Sequence, residues 1–401
     1  MVPGSSESNY EPVVTSTFRI SPGRLSETVD SAALFSDIQS KRKPLILGSA
    51  PADHRIGARP GEGIGSLVAI PLVARAELLG ALMVAKEVTE GFEPDDVSAL
   101  SVYCDQAALA LDRAHLFEER LEKERLTREL AIAREVQTKL LPQNIPQLPG
   151  LFIHASSTPA QEVGGDYFDF VKLDGDRLGF IIADVSGKGT SAAFYMAVMQ
   201  GIFTSVSSLA KTPRDFLLAA NAALAQVLEK NVFISVIYGI IDARNETISI
   251  ARAGHCPAAT IELSGSAGLW SLGGMGLGLD PTGRIFGETL AQETRTLSPG
   301  DVFILYTDGV VESRSRSGEE YGYDRILAVL EENRHEDVSD LHRALIRDLD
   351  TFVENGSYGD DTTVVVIKWL GRAYATDGTM THVSVGEASQ QPSKSIQTTS
   401  E

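Results

Sequence analysis

The sequence predicts an α+β protein in which a small mixed domain and a larger one are joined by a long helix. Between Phe152 and Leu370, β-prone apolar runs alternate irregularly with helical segments, which is typical of antiparallel sheets in an α+β domain. No glycine or proline occurs between Pro94 and Pro142, so a single helix is expected there. The 401 residues, 43% apolar and 22% charged, suffice for two or three globular domains.

Charge and cysteine content restrict the partners and the compartment. The net charge of -19 argues against nucleic acid or an anionic membrane as a partner. Cys104 and Cys256 lie far apart and no CxxC or His/Cys cluster is present, so neither a disulfide framework nor a zinc site is expected. The first residues show no export signal, and no uncharged apolar run approaches the length of a membrane span. We therefore expect a cytoplasmic protein.

The N-terminal region predicts a small sheet with helices. Its expected elements are a strand at Val13–Ile20, a helix at Val29–Lys41, strands at Pro44–Leu47, Ser66–Leu72 and Leu79–Ala85, and an acidic helix start at Glu93–Asp96. The order of Ile70-Pro71-Leu72, Leu79-Gly80, Phe92-x-Pro94-x-Asp96 and a long helix resembles a GAF domain over residues 10–113. The first helix and strand of a full GAF domain are not recognisable, so we expect one shortened at its N-terminus, with a ligand that the sequence does not identify.

Residues 114–141 predict a helical linker. The segment is dense in Glu, Arg and Lys, and its apolar residues recur at steps of three and four, although Leu121 is out of register. A solvated connector helix and a parallel coiled coil that forms a homodimer are both compatible with this pattern. Pro142, Pro146 and Pro149 end the helix and open the next domain.

Residues 142–370 predict the larger domain, and the polar segment 371–401 predicts a disordered tail. The expected strands are Phe152–Ser156, Tyr167–Leu173, Arg177–Ala183, Val232–Asp242, Thr247–Arg252, Ala258–Glu262, Glu293–Thr296, Asp301–Thr307 and Thr362–Lys368. The expected helices are Ser191–Ala210, Pro213–Glu229, Tyr323–Asn333 and Val338–Asn355.

Aspartates follow or precede several of these strands, next to glycine or another aspartate. They are Asp166, Asp184, Asp308 and the pair Asp360-Asp361. A carboxylate at the end of a buried strand is held rigidly and still faces solvent, so several such ends together would form an oxygen cage for Mg²⁺ or Mn²⁺. One Asp-Gly alone is more often a turn. Two ions about 3.5–4 Å apart would activate a bridging water, which predicts hydrolysis of a phosphate ester.

The set and order of motifs resembles the SpoIIE/RsbU branch of the PP2C-type (PPM) metal-dependent serine/threonine protein phosphatases. The matching motifs are Glu135-Val136-Gln137-x-x-Leu140-Leu141-Pro142, Gly164-Gly165-Asp166-Tyr167-x-Asp169, Asp184-Val185-Ser186-Gly187-Lys188-Gly189, Ala253-Gly254-His255-x-Pro257, Tyr306-Thr307-Asp308-Gly309 and Asp360-Asp361-x-Thr363. The resemblance implies an αββα sandwich with two Mn²⁺ or Mg²⁺ ions between the sheets, and a phosphorylated STAS-type anti-anti-sigma protein as substrate.

The resemblance also implies roles for individual residues. Asp184 would bridge both ions with help from the Val185 carbonyl, Asp308 and Asp360 would each bind one, and Asp166 would act nearby. The roles of Asp360 and Asp361 remain interchangeable at this level. One departure is that Glu162 and Val163 precede the paired glycines, where larger PP2C enzymes carry a phosphate-binding arginine.

Three further features near these motifs, and two alternative functions, have their own expectations. His255 is expected to pack in a loop rather than to act as an acid or base, Lys188 to be solvated, and Glu312–Tyr321 to be a structural loop rather than a substrate flap. A catalytically weak scaffold that binds a phosphoprotein is the alternative function, although all acidic residues are present. A two-metal nucleotide enzyme is disfavoured because no P-loop is found.

Overall fold

The computed structural model describes residues 31–54, 64–262, 265–353, 358–374 and 382–385. The strand predicted at Val13–Ile20 lies outside these residues. The chain divides into two compact units, residues 1–127 and 128–401.

The first unit contains a three-stranded antiparallel sheet. Its elements are α1 (Ser31–Lys41), β1 (Leu45–Leu47), β2 (Ser66–Ala74) and β3 (Glu77–Lys86), with the strand order β1-β2-β3. The sheet has apolar residues on both faces: Leu67 and Ala69 of β2 belong to the cluster that includes Leu34 of α1, while Val68 packs with Cys104. The strands predicted between 44 and 85 are thus present.

A single helix, α2, runs over the 47 residues Pro94–Leu140. Proline in the first turn costs no hydrogen bond, and Asp95 and Asp96 place negative charge at the positive end of the helix dipole. The uninterrupted helix predicted from the absence of Gly and Pro is confirmed. Within the described part of the chain, no helix combines the length and the apolar character that a membrane crossing requires.

The second unit contains two sheets and their helices; the five-stranded sheet is antiparallel, and the six-stranded sheet is antiparallel except for its edge pair β4–β14. The six-stranded sheet has the order β10-β9-β12-β13-β4-β14, and the five-stranded sheet has the order β11-β8-β7-β6-β5. The strands are β4 (Leu151–Thr158), β5 (Tyr167–Lys172), β6 (Arg177–Val185), β7 (Ile234–Asp242), β8 (Thr247–Ala253), β9 (Ala258–Ile261), β10 (Ala267–Trp270), β11 (Gln292–Thr296), β12 (Val302–Tyr306), β13 (Thr362–Trp369) and β14 (His382–Val385). The helices are α3 (Thr190–Val206), α4 (Pro213–Leu224), α5 (Arg284–Thr289), α6 (Asp308–Val311), α7 (Gly322–Glu332) and α8 (Val338–Val353).

Alternation along β12 shows how the layers stack. Ile304 and Tyr306 point into a cluster with Leu345 of α8, whereas Phe303 and Leu305 point into the cluster shared with the five-stranded sheet and helices α3 and α4. The six-stranded sheet is therefore covered by helices on one face and by the other sheet on the opposite face. This is the αββα sandwich implied by the sequence.

Three elements were not predicted, and one prediction needs correction. Strand β10 and the short helices α5 and α6 lie in segments assigned to loops. Within 371–401, predicted to be disordered, His382–Val385 forms β14 and pairs in parallel with β4. This backbone pairing covers the outer edge of β4, which would otherwise expose unpaired N–H and C=O groups. The other described residues of this segment, 371–374, form a turn.

Candidate metal centre

Three predicted aspartates converge on one pocket in the second unit. Asp184 comes from the end of β6, Asp308 follows β12, and Asp360 precedes β13. Because β12 and β13 are antiparallel, with Tyr306 opposite Val364, the end of one and the start of the other lie at the same sheet edge. The pocket has a volume of about 280 Å³ and is also lined by Val185 and the loop that follows it.

The carboxylates of this pocket are close enough to oppose one another's ionisation. Burial, followed by the charges of Asp308 and Asp360, raises the pKa of Asp184 to about 7. Burial, followed by the charges of Glu312 and Asp360, raises the pKa of Asp308 to about 6. The cluster thus concentrates negative charge that a bound cation would neutralise.

Lys188 already brings one positive charge into this cluster. Its Nζ lies 2.8 Å from Asp360 Oδ2 and donates a 2.6 Å hydrogen bond to the Gly359 carbonyl. The sequence predicted a solvated lysine; the side chain is 46% exposed, and its ammonium also lies at the pocket wall. The Lys188 ammonium therefore lies between two oxygen atoms, of Asp360 and Gly359, that could also bind a metal cation.

Asp361 faces away from this pocket although it follows Asp360 directly. Its Oδ1 accepts a 2.8 Å hydrogen bond from the Ala160 N–H, and its Oδ2 accepts one of 2.6 Å from the Gly165 N–H. Asp360 is partly exposed and lines the pocket, whereas Asp361 is buried and holds the loop before β5. The two adjacent carboxylates therefore have different surroundings.

Asp166 is buried behind the pocket in a cradle of hydroxyl groups. Its Oδ2 accepts hydrogen bonds from Thr307 Oγ1 at 2.8 Å and Thr363 Oγ1 at 2.6 Å. Burial and the nearby charges of Asp184 and Asp361 hold its pKa well above the usual range. Sequence reasoning did not identify these threonines. Their position in the sequence could have indicated them, since each threonine lies within two residues of a predicted site aspartate.

Two glycine positions allow the backbone segments to meet here. A Cβ on Gly309 would lie inside the van der Waals distance of the Asp361 carbonyl oxygen. A Cβ on Gly165 would lie 3.0 Å from the Val185 carbonyl oxygen, tighter than nearly all real contacts. The glycines next to Asp166 and Asp308 are therefore needed for close packing.

The donors match a divalent ion in kind. Carboxylates and a backbone carbonyl are the oxygen ligands preferred by Mg²⁺ and Mn²⁺. Among the residues that the structure describes, no three histidine, cysteine or acidic side chains are spaced as a finished metal site. The residues present thus fit divalent ions in donor type and charge.

His255 and Cys256, in the loop after β8, are held in their uncharged forms. His255 is buried, its Nδ1 lies 2.7 Å from Ser235 Oγ, and burial lowers its pKa to about 3. A histidine that stays neutral at pH 7 cannot donate a proton as an imidazolium, which agrees with a loop-packing role. Cys256 lines the pocket, and burial, with the charge of Asp308, raises its pKa to about 12.

The loop that follows Asp308 is closed by its own hydrogen bonds. Arg314 and Glu320 form an antiparallel bridge, and the Tyr321 N–H donates to the Ser313 carbonyl at 2.9 Å. Glu312 remains exposed at its start and adds negative charge near Asp308. These bonds are those of an ordered structural loop.

Comparison with known proteins identifies both parts of the chain. The family model described as Stage II sporulation protein E (SpoIIE) matches residues 174–370, and a GAF domain model matches residues 7–112. The chain carries a SpoIIE-type PP2C domain and a GAF domain. Asp184, Asp308 and Asp360 lie within the matched part of the PP2C domain, whereas Asp166 precedes it.

Several relatives share the PP2C domain. Phosphoserine phosphatase RsbU of Bacillus subtilis is 32% identical over 190 residues, which cover 47% of this chain and 55% of RsbU. Protein IcfG of Synechocystis is 27% identical over 270 residues, which cover 60% of this chain and 41% of IcfG. The chain spans roughly half the length of the curated relatives it matches.

A solved structure shows the same fold. The SiaA-PP2C domain of Pseudomonas aeruginosa superposes with a TM-score of 0.54 at 17% identity, covering 62% of this chain and 98% of that domain. The PP2C domain of this chain thus has the fold that the sequence motifs predicted.

Proposed function

We propose that this chain is a metal-dependent protein serine/threonine phosphatase. The observation that carries the proposal is the single pocket shared by Asp184, Asp308 and Asp360, which Val185 also lines. The names of two relatives, phosphoserine phosphatases RsbU and RsbP of Bacillus subtilis, support the reaction class.

The proposed roles of the residues follow from their surroundings. Asp184 is half-buried and shares the pocket with Asp308 and Asp360; it would bridge two ions, while Asp308 and Asp360 would each hold one. Two Mn²⁺ or Mg²⁺ ions, when bound, would activate water and neutralise the phosphoryl oxygens. Asp166 supports the ligands from behind. Asp361 accepts hydrogen bonds from the Ala160 and Gly165 amides, so Asp360 is the proposed ligand of the adjacent pair.

The proposed substrate is phosphoserine or phosphothreonine on a regulatory protein of the STAS type. The support for this partner is the resemblance of the motifs to the SpoIIE/RsbU branch. The net charge of -19 disfavours polyanionic partners, whereas metal ions would make the pocket itself attractive to one phosphoryl group.

The test uses the full chain with Mn²⁺ or Mg²⁺, p-nitrophenyl phosphate and phosphorylated STAS proteins. Asp184→Asn and Asp308→Asn should each lower metal-dependent turnover by about 100-fold or more, because each removes a proposed ligand. Asp174→Asn, an exposed aspartate between β5 and β6, is the matched control and should leave turnover unchanged. Binding of a phosphoprotein without any turnover would instead support the scaffold alternative.

The chain is also proposed to be regulated by the GAF domain and to form a homodimer. Helix α2 carries exposed apolar residues at a spacing of seven: Val102, Leu109 and Leu116, which are 57%, 49% and 39% exposed. Contact positions of a coiled coil are exposed in this way when the partner helix is absent. Leu109→Glu should convert a dimer to a monomer in light scattering. A wild-type monomer at micromolar concentration would refute the dimer.

Regulation is proposed to pass through the linker helix, residues 114–141, from a GAF domain at 10–113 to a phosphatase domain at 142–370. Replacing residues 118–134 with a flexible Gly/Ser segment should remove any dependence of turnover on a GAF ligand, because a flexible chain does not transmit twist or order. Regulation that persists would contradict this route. The two free cysteines support the proposed cytoplasmic location.

A further inference from the structure

The end of helix α2 is joined to the loop before β5 by a paired hydrogen bond. The Gln137 Nε2 donates to the Gly164 carbonyl at 2.6 Å, and the Gly164 N–H donates to Gln137 Oε1 at 3.0 Å. One side-chain amide therefore satisfies both hydrogen-bonding groups of one residue. The side chain thus makes the pair of hydrogen bonds that a residue of a neighbouring β-strand would otherwise make.

The held residue is next to the groups that fix the acidic cluster. Gly165, the next residue, donates its N–H to Asp361 Oδ2 at 2.6 Å. Asp361 in turn donates its backbone N–H to Asp360 Oδ1 at 2.9 Å. A continuous series of hydrogen bonds thus leads from Gln137 to Asp360, which lines the pocket.

The surroundings leave this loop little freedom once Gln137 is in place. A Cβ at Gly164 would clash with the Asp361 carboxylate, so the backbone approaches that group as closely as glycine allows. The cavity between Gln137, Gly164, Asp166 and Asp361 has a volume of only about 20 Å³, enough for one water molecule. A shift of the glutamine would therefore move the loop or open the cavity.

We propose that Gln137 is a positioning residue for the acidic cluster, acting through Gly164 and Gly165 on the Asp360-Asp361 pair. Its contribution to turnover rests on the function proposed above, whereas its contribution to cation binding and to loop order does not. Residues that orient metal ligands typically change metal affinity about 10- to 100-fold when they are replaced.

Only glutamine meets the requirements at this position. Glutamate would keep the acceptor for the Gly164 N–H but would place a carboxylate against the Gly164 carbonyl, and its charge would oppose Asp361. Asparagine is one methylene shorter and would not span the same gap. Alanine removes both bonds. Both variants should therefore loosen the loop: Gln137→Glu loses the bond to the Gly164 carbonyl, and Gln137→Ala loses both bonds.

The experiment measures Mn²⁺ binding by calorimetry on the full chain with Gln137→Ala and Gln137→Glu. We expect dissociation constants about 10-fold higher than in the wild type, with kcat for p-nitrophenyl phosphate recovered at saturating Mn²⁺. Glu135→Gln is the control, since Glu135 lies two positions away, is exposed and pairs with Lys139. It should bind Mn²⁺ like the wild type.

A second measurement needs no metal. Hydrogen exchange of the Gly164 and Gly165 amides should be faster by about 10-fold or more in both Gln137 variants and unchanged in Glu135→Gln. Folded variants with wild-type exchange at these amides and wild-type Mn²⁺ affinity would overturn the positioning role. Wild-type protein that binds Mn²⁺ but hydrolyses no phosphate would contradict the proposed function alone. Faster exchange without any Mn²⁺ binding would limit Gln137 to ordering the loop and overturn its role in cation binding.

Discussion

The ammonium of Lys188 lies 2.8 Å from the carboxylate of Asp360 and closes one side of the acidic pocket. Both side chains are partly exposed, so the ion pair contributes little to the stability of the fold. Its importance lies in its position: burial, followed by the charges of Glu312 and Asp360, raises the pKa of Asp308, and the lysine charge lowers it. Lys188 partly compensates the charge that divalent ions would neutralise.

Replacing this lysine should strengthen cation binding. Lys188→Met removes a positive charge that competes for Asp360, so Mn²⁺ should bind about 10-fold more tightly, as measured by calorimetry. Lys172→Met, an exposed lysine at the end of β5, is the control and should leave the affinity unchanged. Weaker binding in Lys188→Met would show that the lysine supports the cation rather than competing with it.

A methyl group at Gly309 should disrupt the pocket. In Gly309→Ala the new Cβ meets the Asp361 carbonyl oxygen, which can move only with the start of β13. We expect the free energy of unfolding to fall by about 2 kcal/mol or more, with loss of metal-dependent turnover. Gly359→Ala is the control, because a Cβ there meets nothing within 4 Å. Equal stability of the two variants in urea unfolding would refute the close approach.

The hydroxyl of Thr363 should stabilise the fold through Asp166. Thr363→Val keeps the shape but removes the donor to Asp166 and the bond to Ser157 Oγ at 2.9 Å. Because these groups are buried, we expect a loss of about 1–3 kcal/mol in urea unfolding. Thr351→Val, at an exposed position of α8, should cost less than about 0.5 kcal/mol. An equally small loss of unfolding free energy in Thr363→Val would contradict the stabilising role of the hydroxyl groups around Asp166.

Stability should fall in mild acid because of His342. Burial, with the neighbouring His154, lowers the pKa of His342 to about 3, below the unfolded value of 6.5. Between these values the unfolded chain binds the extra proton, so stability is lost as the pH falls below 6.5. The neighbouring groups are His154, at 4.4 Å between ring centroids, and Ser156, whose Oγ lies 2.7 Å from His342 Nε2.

The loss between pH 6.5 and 5 should be about 2 kcal/mol from this residue alone. His342→Gln should flatten the profile of unfolding free energy over this range, whereas the exposed His335→Gln should leave it unchanged. An unaltered slope in His342→Gln would show that other groups cause the acid sensitivity.

The sequence predicted the main strands and helices of the larger domain because their signals are local. Strand β13 is apolar or β-branched at nearly every position, and Gly359 and Gly371 flank it. Strand β10 was missed because Ala267-Gly268-Leu269-Trp270 has low β-propensity and becomes a strand only by pairing with β9. Helix α6 was missed because four residues are too few for a periodic pattern.

The sequence predicted the three aspartates that share the pocket, but it also grouped Asp361 with them, and Asp361 faces away from the pocket. Strand ends followed by aspartate indicate the pocket, yet the difference between Asp360 and Asp361 depends on a loop about 200 residues earlier in the chain. The contact of Gln137 with Gly164 likewise depends on tertiary packing. Pairings of this kind leave no periodic trace in one sequence.

The pocket draws its carboxylates from both layers: Asp184 from the five-stranded sheet, Asp308 and Asp360 from the six-stranded one. Sliding of one sheet over the other would change the spacing of these oxygens before it disrupted any strand. A cation bound by carboxylates from both sheets would link the two sheets directly. A bound cation should therefore restrict the movement of one sheet relative to the other, including at positions far from the pocket.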